Sequence, residues 1–323
     1  FVRFKFGKMA KQIILDCDPG HDDAAAIMMA IASPDEIELL GITAVAGNVS
    51  VDRTALNTQK ILALCNRSDI PVFKGCPRPT TGHLITGENV HGESGLDTHT
   101  DFELPEPLRD LESAHAVNAI IDMVRVGEPK TITIVATGPL TNIAMALVMA
   151  PDIAERIQRI VLMGGSTWGP GNRTPAAEFN ILVDPNAADI VFSCGADVTM
   201  FGLDVCRQIV ITKKWIDSLR AIGTHPAIGL ADLMGFFNDY DIRTYGRPGA
   251  PLHDPCTIGY VIDPTLFKGQ KLNVRVETLP GICCGATVAD WNGVTGGVEN
   301  VTVITEGDST RFFDLLASCI KRI

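Results

Sequence analysis

Short apolar runs alternate with amphipathic or alanine-rich stretches along most of this chain. The apolar runs are rich in β-branched residues and predict strands at 12–16, 39–46, 71–73, 131–136, 159–163, 198–201 and 272–276. The stretches between them have helical periodicity and predict helices at 22–32, 51–66, 114–126, 140–149 and 185–193. Strands that alternate with helices are typical of a mostly parallel sheet covered on both faces, so the predicted class is a single α/β domain.

Two segments interrupt this alternation. Residues 75–107 are rich in Gly, Pro and Thr and contain His83, His91 and His99, whereas residues 223–251 begin as a helix and then become polar. A long irregular segment in a compact domain is usually functional, so both are predicted as lids over a site. The alternative interpretation is that they are ordinary surface excursions.

The charge and cysteine content narrow the class of protein. The net charge is −11 with no long basic run, which argues against nucleic acid or an anionic membrane as partner and favours a neutral or cationic small substrate or a metal cation. The nine cysteines show no zinc-binding spacing, and their odd number favours free thiols in a reducing compartment, so we expect a cytoplasmic protein. No apolar run reaches the ~18 residues of a membrane span.

The first residues stand apart from the domain. The stretch FVRFKFGK precedes Met9 and lacks the apolar core and cleavage site of a signal peptide. We therefore expect residues 1–10 to be an irregular extension or a cloning remnant, with Met9 as the native start, and residues 11–323 to form the domain.

Four carboxylates crowd into the turn after the first predicted strand, at Asp16, Asp18, Asp22 and Asp23. Two unit charges about 4 Å apart repel by roughly 4 kcal/mol at an effective dielectric of 20, and helix capping explains one or two of these acids but not four. A hard divalent cation with oxygen ligands, calcium or magnesium, would reverse the repulsion. In the alternative interpretation Asp16 and Asp22 cap and hydrogen-bond locally while the other two are solvated.

Further polar residues follow other predicted strands. Thr137 and Asn142 come after the strand at 131–136, Met163 ends the next strand, and EFN at 178–180 and HDP at 253–255 lie farther along the chain. Each signal alone is weak, since such residues also cap helices and form turns. In parallel sheets, however, ligands bind at the carboxyl ends of the strands, where these residues would meet.

These motifs together strongly resemble the nucleoside hydrolases, the inosine/uridine-preferring nucleoside N-ribohydrolase family. The matching pieces are DCDPGHDDA (16–24), AGN (46–48), NVHGESGLD (89–97), TGPLTNIAMA (137–146), MGG (163–165), GNRTPAAEFNI (171–181), VDPNAA (183–188), GLDV (202–205) and APLHDPCTIGY (250–260). The resemblance implies a single Rossmann-like α/β domain that forms a homotetramer or homodimer. It also implies calcium-dependent hydrolysis of ribonucleosides to ribose and free base.

The same resemblance implies roles for individual residues. The calcium ligands would be Asp18, Asp23, Asp254 and the main-chain carbonyl of Thr137, with Asp18 also activating water. The ribose would be held by Asp22, Asn48, Met163, Asn172, Glu178, Phe179 and Asn180.

The residues that contact the base are predicted from two histidines, a tyrosine, a missing tryptophan and one position that differs from the family pattern. The resemblance implies that His91 and His253 flank the base and that one of them protonates it, with Tyr245 as a further contact. The absence of Trp from the NVHGESG loop favours the pyrimidine-preferring branch, with uridine and cytidine as substrates, although broad inosine/uridine specificity stays open. Asp241 stands where relatives can carry an amide, so a carboxylate there departs from the family pattern.

Two other functions compete with this interpretation. A haloacid-dehalogenase-type phosphohydrolase also has a DxD motif at a strand end, but here Pro19-Gly20 replaces its usual pattern and no Lys is well placed for phosphate. The other alternative is a calcium-stabilised nucleoside-binding protein without catalysis.

Overall fold

The structure is a computed structural model that describes residues 10–323. The prediction of an irregular extension over residues 1–10 therefore lies, except for Ala10, outside the described residues. Within the described range no helix is both long enough and apolar enough to cross a membrane.

The strands in residues 10–323 form one large sheet and one small ladder. They are β1 (Lys11–Cys17), β2 (Ile37–Ala44), β3 (Val72–Lys74), β4 (Ile132–Ala136), β5 (Arg159–Met163), β6 (Val198–Phe201), β7 (Phe267–Leu272), β8 (Val274–Val276), β9 (Thr287–Ala289) and β10 (Val301–Gly307). The large sheet has the order β3-β2-β1-β4-β5-β6-β10-β7, and β7 runs antiparallel to β10 while the other neighbours are parallel. β8 and β9 pair separately in antiparallel orientation.

Helices cover both faces of the large sheet. They are α1 (His21–Ile31), α2 (Val51–Leu64), α3 (Glu88–His91), α4 (Ala116–Val126), α5 (Thr141–Met149), α6 (Ile153–Arg156), α7 (Phe179–Val183), α8 (Pro185–Ser193), α9 (Leu203–Cys206), α10 (Lys213–Arg220), α11 (His225–Tyr245), α12 (Pro255–Ile262) and α13 (Ser309–Ile320), with a 3-10 turn at Pro264–Leu266. The predicted single α/β domain with a mostly parallel, Rossmann-like sheet is confirmed.

Three predictions about elements were wrong or incomplete. Residues 223–251, which were predicted to begin as a helix and then become polar, are mostly the single regular helix α11. Within this helix, Gly229 lies where a Cβ would come within 2.4 Å of the Phe102 ring, so the glycine allows close packing there. The predicted strand at 272–276 is the end of β7 and all of β8, in two different sheets. The sequence analysis did not predict β10 and α13.

The alternation of side chains along β1 divides the core into two parts. Ile13 and Leu15 pack into an apolar cluster with α1 and α11, whereas Ile14 packs on the opposite face with α4 and α5. The strand order reverses between β1 and β4, since β2 and β3 lie on one side and β5 and β6 on the other. In open α/β sheets a crevice for ligands forms at this reversal, outside the carboxyl ends of the strands.

Candidate active site

A group of buried carboxylates lies at the reversal point. Oxygen atoms of Asp22, Asp23 and Asp254 lie within 4.8 Å of one another, and the side chains are 5%, 0% and 4% exposed. Asp22 and Asp23 belong to the first turn of α1, and Asp254 precedes α12. Burial, and then the charge of neighbouring carboxylates, raises the pKa of Asp23 from 3.8 to about 7 and that of Asp254 well above 3.8. The fold thus confines three carboxyl groups to a small buried volume, where their ionised forms are disfavoured.

Asp18 stands beside this group and has an oxygen without a partner. Its Oδ2 accepts a hydrogen bond from the backbone N–H of Asn48 (2.7 Å), whereas its buried Oδ1 has no partner among the described residues. Burial, followed by the charge of Asp23, raises the pKa of Asp18 well above its usual value. A buried oxygen without a donor is costly unless a ligand satisfies it. The ligand atoms available here are all oxygens, and one of them has no hydrogen-bond partner within residues 10–323. Both features fit a hard cation such as calcium or magnesium.

Thr137, directly after β4, contacts both the acidic group and the cavity wall. Its Oγ1 donates to Asp23 Oδ1 (2.7 Å), which orients that carboxylate. Its main-chain carbonyl accepts from Asn180 Nδ2 (2.8 Å). The carbonyl predicted as a metal ligand therefore shares its lone pairs with an amide of the cavity wall.

Asp16 belongs to the scaffold beneath the site. Its Oδ2 accepts from Thr43 Oγ1 (2.6 Å) on β2 and from Asn142 Nδ2 (2.8 Å) on α5. Burial raises the pKa of Asp16 to about 7, although both hydrogen bonds oppose that shift. The fourth acid of the crowded turn thus ties β1 to its neighbours.

A cavity of about 230 Å³ opens above the acidic group. Its wall contains predicted site residues from every part of the chain: Asp22, Asn48, His91, Thr137, Met163, Asn172, Glu178, Phe179, Asn180, Asp241, Tyr245, His253 and Asp254. Asp18 and Asp23 lie behind this wall instead of lining it. The cavity therefore gathers the predicted contacts, with two predicted metal ligands buried beneath its surface.

One side of the cavity is formed by the loop and short helix after β5. Glu178 caps α7, accepting from the backbone N–H groups of Asn180 (2.9 Å) and Gly165 (3.0 Å). Burial raises the pKa of Glu178 to about 7, although these hydrogen bonds favour the ionised form and oppose the shift. Asn172 Oδ1 accepts from the backbone N–H of Phe179 (2.9 Å), which holds the preceding loop against the helix. This side offers carboxylate and amide groups in fixed positions.

The other side is formed by α3 and α11. His91 ends α3 and stacks on Phe237 of α11, with ring centroids 5.7 Å apart. His253 lies in the wall, and its buried Nδ1 has no partner among the described residues. Burial lowers the pKa of His91 well below 6.5, and burial together with Arg207 and Arg247 lowers that of His253 to about 3. Both rings are neutral at pH 7.

The sequence analysis missed several residues of the cavity. Arg173, Arg207 and Arg247 are in its wall, and none of them was predicted as a site residue. Arg247 approaches Asp241 (Nη1 to Oδ1, 3.5 Å) and lies over the Tyr245 ring at 4.6 Å. Net charge averages over the whole chain and could not show these local cations.

His21 was also missed, although it lies inside the acidic motif. The ring is fully buried and forms hydrogen-bond contacts with His91 and with the carbonyl of Asp97. The motif DPGHDD drew attention to its carboxylates, and its histidine was left without a role.

Comparison with known proteins identifies the family. The profile of the inosine-uridine preferring nucleoside hydrolases matches residues 13–314, and the chain belongs to this family of N-glycosyl hydrolases. It is 46% identical over 313 residues to the pyrimidine-specific ribonucleoside hydrolase RihA of Shewanella sp. strain MR-7, covering 97% of this chain and 96% of that protein. It is also 46% identical over 314 residues to RihA of Escherichia coli O1:K1, covering 97% and 99%.

Solved structures agree on the fold. A purine-preferring ribonucleoside hydrolase from Gardnerella vaginalis is 36% identical with a TM-score of 0.89, covering 96% of this chain and 98% of that one. The plant nucleoside hydrolase PpNRh1 is 34% identical with a TM-score of 0.88, covering 96% and 99%. The family resemblance predicted from the motifs is confirmed.

Proposed function

We propose that the protein hydrolyses the N-glycosidic bond of ribonucleosides to ribose and free base, with a preference for pyrimidine nucleosides. The observation that carries the proposal is the buried group of Asp22, Asp23 and Asp254 beneath a cavity walled by polar and aromatic side chains. The RihA relatives, which are named pyrimidine-specific, support the preference.

Calcium is the proposed ion, held by Asp18, Asp23, Asp254 and the carbonyl oxygen of Thr137. The support is chemical: these donors are all oxygen, and Asp18 Oδ1 has no partner among the described residues. When bound, the ion supplies a Lewis acid that lowers the pKa of a water molecule and positions it.

The protein's own groups then perform the remaining steps. Asp18 accepts the proton of the attacking water. Positive charge develops on the ribose in an oxocarbenium-like transition state, and the surrounding carboxylates stabilise it. The ribose is held by the polar side chains of Asp22, Asn48, Asn172, Glu178 and Asn180 and packs against Met163 and Phe179.

The base is proposed to lie between α3 and α11. His91, His253, Asp241 and Tyr245 flank it, and one histidine protonates the departing base, which is worth ~10²–10⁴-fold. Asp241 Oδ2 is buried without a hydrogen-bond partner in the described chain, which suits it to accept from an N–H of the base.

The deciding experiment measures reducing sugar released from uridine, cytidine, inosine, adenosine and deoxyuridine, with and without a calcium chelator. We expect uridine and cytidine to react fastest, deoxyuridine to be slow because it lacks a hydroxyl, and the chelator to stop turnover. Uridine binding by calorimetry without any sugar release would instead identify a nucleoside-binding protein. Arg207 and Arg247 lie in the cavity wall, where they could bind a phosphate group. A parallel assay therefore measures phosphate released from nucleotides, and such release would favour a phosphohydrolase.

A second experiment identifies the proton donor. His91→Ala and His253→Ala are compared on uridine and on a nitrophenyl riboside, whose leaving group needs no proton. A variant that lacks the donor is expected to slow uridine hydrolysis much more than nitrophenyl riboside hydrolysis. Equal losses on both substrates in both variants would contradict an acid role for either histidine.

The remaining expectations stay predictions: one domain over residues 11–323, a cytoplasmic location and a homotetramer or homodimer. The nine cysteines are all free, which supports a reducing compartment. Exposed apolar side chains near the β8–β9 ladder, including Ile282 and Val298 at 92% and 84% exposure, support association. Light scattering in solution would measure the assembly.

A further inference from the structure

His21 is held between a carbonyl oxygen and the ring of His91. Its Nε2 lies 2.8 Å from the carbonyl oxygen of Asp97, and its Nδ1 lies 3.0 Å from Nδ1 of His91. The Phe236 ring stacks on it with centroids 5.0 Å apart. Gly20 permits this approach, because a Cβ there would come within 2.6 Å of His91 Nδ1.

These contacts fix where His21 carries its proton. A carbonyl oxygen can only accept, so the short contact to Asp97 places the hydrogen on Nε2 of His21. The ring is fully buried and no carboxylate oxygen of residues 10–323 hydrogen-bonds to it, so a charged imidazolium would be strongly disfavoured. In the neutral ring, Nδ1 of His21 is therefore a bare acceptor.

The tautomer of His91 follows from that of His21. With a hydrogen on its Nδ1, His91 donates to His21 Nδ1 over 3.0 Å. Without that hydrogen, two lone pairs would face each other at this distance, and His91 Nδ1 would retain the longer contact from the His21 backbone N–H, at 3.3 Å. Because the ring-to-ring contact is the shorter of the two, it determines the tautomer of His91 and places the hydrogen on Nδ1. Nε2 of His91 is then left without a hydrogen and without a hydrogen-bond partner in the described chain.

We propose that His21 is a positioning residue that holds His91 in the Nδ1–H tautomer, so that Nε2 of His91 accepts a hydrogen bond from an N–H of the nucleobase. This rests on the proposed nucleoside hydrolysis and deepens it. The bases that fit are those with an N–H donor at the edge, such as uracil N3–H or the cytosine amino group. Because Nε2 of His91 then carries no hydrogen, the proton for the leaving base comes from another group, and His253 is the remaining histidine in the wall.

The first test observes the tautomer directly. Long-range ¹H–¹⁵N spectra of the full chain with ¹⁵N-labelled histidine distinguish protonated from bare ring nitrogens. We expect His91 to carry its hydrogen on Nδ1 and His21 on Nε2 in the free protein at pH 7. A hydrogen on Nε2 of His91 would overturn the proposal. Because the spectra are recorded without substrate, this test is independent of the proposed function.

The second test uses a matched pair of variants. His21→Asn keeps an oxygen acceptor near the Nδ1 position, whereas His21→Gln keeps a donor for Asp97 but loses that acceptor. We expect His21→Gln to shift His91 to the Nε2–H tautomer and to lower kcat/KM for uridine about tenfold, the worth of one hydrogen bond. Turnover of the nitrophenyl riboside, which has no base N–H, is expected to change less than about twofold.

The control result separates positioning from a structural role. His21→Asn is expected to keep the wild-type tautomer and to retain most of the uridine activity. Equal losses on both substrates in both variants, with the tautomer of His91 unchanged, would overturn the proposal. If the wild type hydrolyses neither substrate, the proposed function fails while the tautomer measurement still decides the role of His21.

Discussion

The apparent affinity for calcium is expected to rise with pH, because the carboxylates that would bind the ion hold protons in its absence. Burial raises the pKa of Asp23 to about 7 and those of Asp18 and Asp254 well above their usual value. A metal ion binds the deprotonated carboxylate, so each protonated group must release its proton on binding. A group with a pKa of about 7 is roughly nine-tenths protonated at pH 6 and one-tenth at pH 8, which gives about a tenfold gain in affinity, or about 1.4 kcal/mol.

Calorimetric titration of chelator-treated protein with calcium at pH 6, 7 and 8 measures this effect. Repeating it in two buffers with different ionisation enthalpies counts the protons released. Asp23→Asn should lose one released proton and flatten the pH dependence. Asp241→Asn, which removes a cavity carboxyl outside the acidic group, serves as the control and should leave it unchanged. Equal affinity at pH 6 and pH 8 without proton release would refute the reasoning.

Three further predictions test the cavity. Asp18→Ala or Asp254→Ala should lower nucleoside turnover by at least about 100-fold with an unchanged far-UV spectrum, and near-normal activity would remove the proposed water activation. Gly47→Ala should lower turnover by more than about tenfold, because its Cβ would come within 2.0 Å of Asp18 Oδ2. The helical control Gly235→Ala, whose Cβ meets open space, should leave turnover intact. Asp241→Asn should change the uridine-to-cytidine rate ratio by about tenfold, and an unchanged ratio would show that Asp241 does not read the base.

Local patterns could predict the sugar-facing part of the site. Asp18 and Thr137 follow strands that are recognisable as apolar runs, and parallel strands bring their carboxyl ends to one edge. Which of these strand ends lie next to each other depends on the order of the strands. β1 and β4 are neighbours only because the connection after β3 crosses the sheet. That order depends on long-range pairing, which no local pattern encodes.

The base-facing part could be predicted less well because it depends on tertiary packing. The polar second half of the segment 223–251 did not indicate a helix, yet residues 225–245 form one continuous helix in which Gly229 packs closely on Phe102. The contact between His21 and His91 joins residues separated by 70 positions, so spacing could not indicate it. The strand β10 was missed because it follows a long irregular stretch and enters the sheet between β6 and β7.

The two sides of the cavity also differ in how freely they can change. The acidic group is locked to the sheet, since Asp16 ties β1 to β2 and α5, and a shift there would displace Asp18 as well. The side formed by α3 and α11 lies outside the strands, so side chains there can change without altering the sheet that carries Asp16 and Asp18. Base preference can thus diverge by a few substitutions while the glycosidic chemistry is inherited intact, and redesign for other leaving groups should begin on α3 and α11.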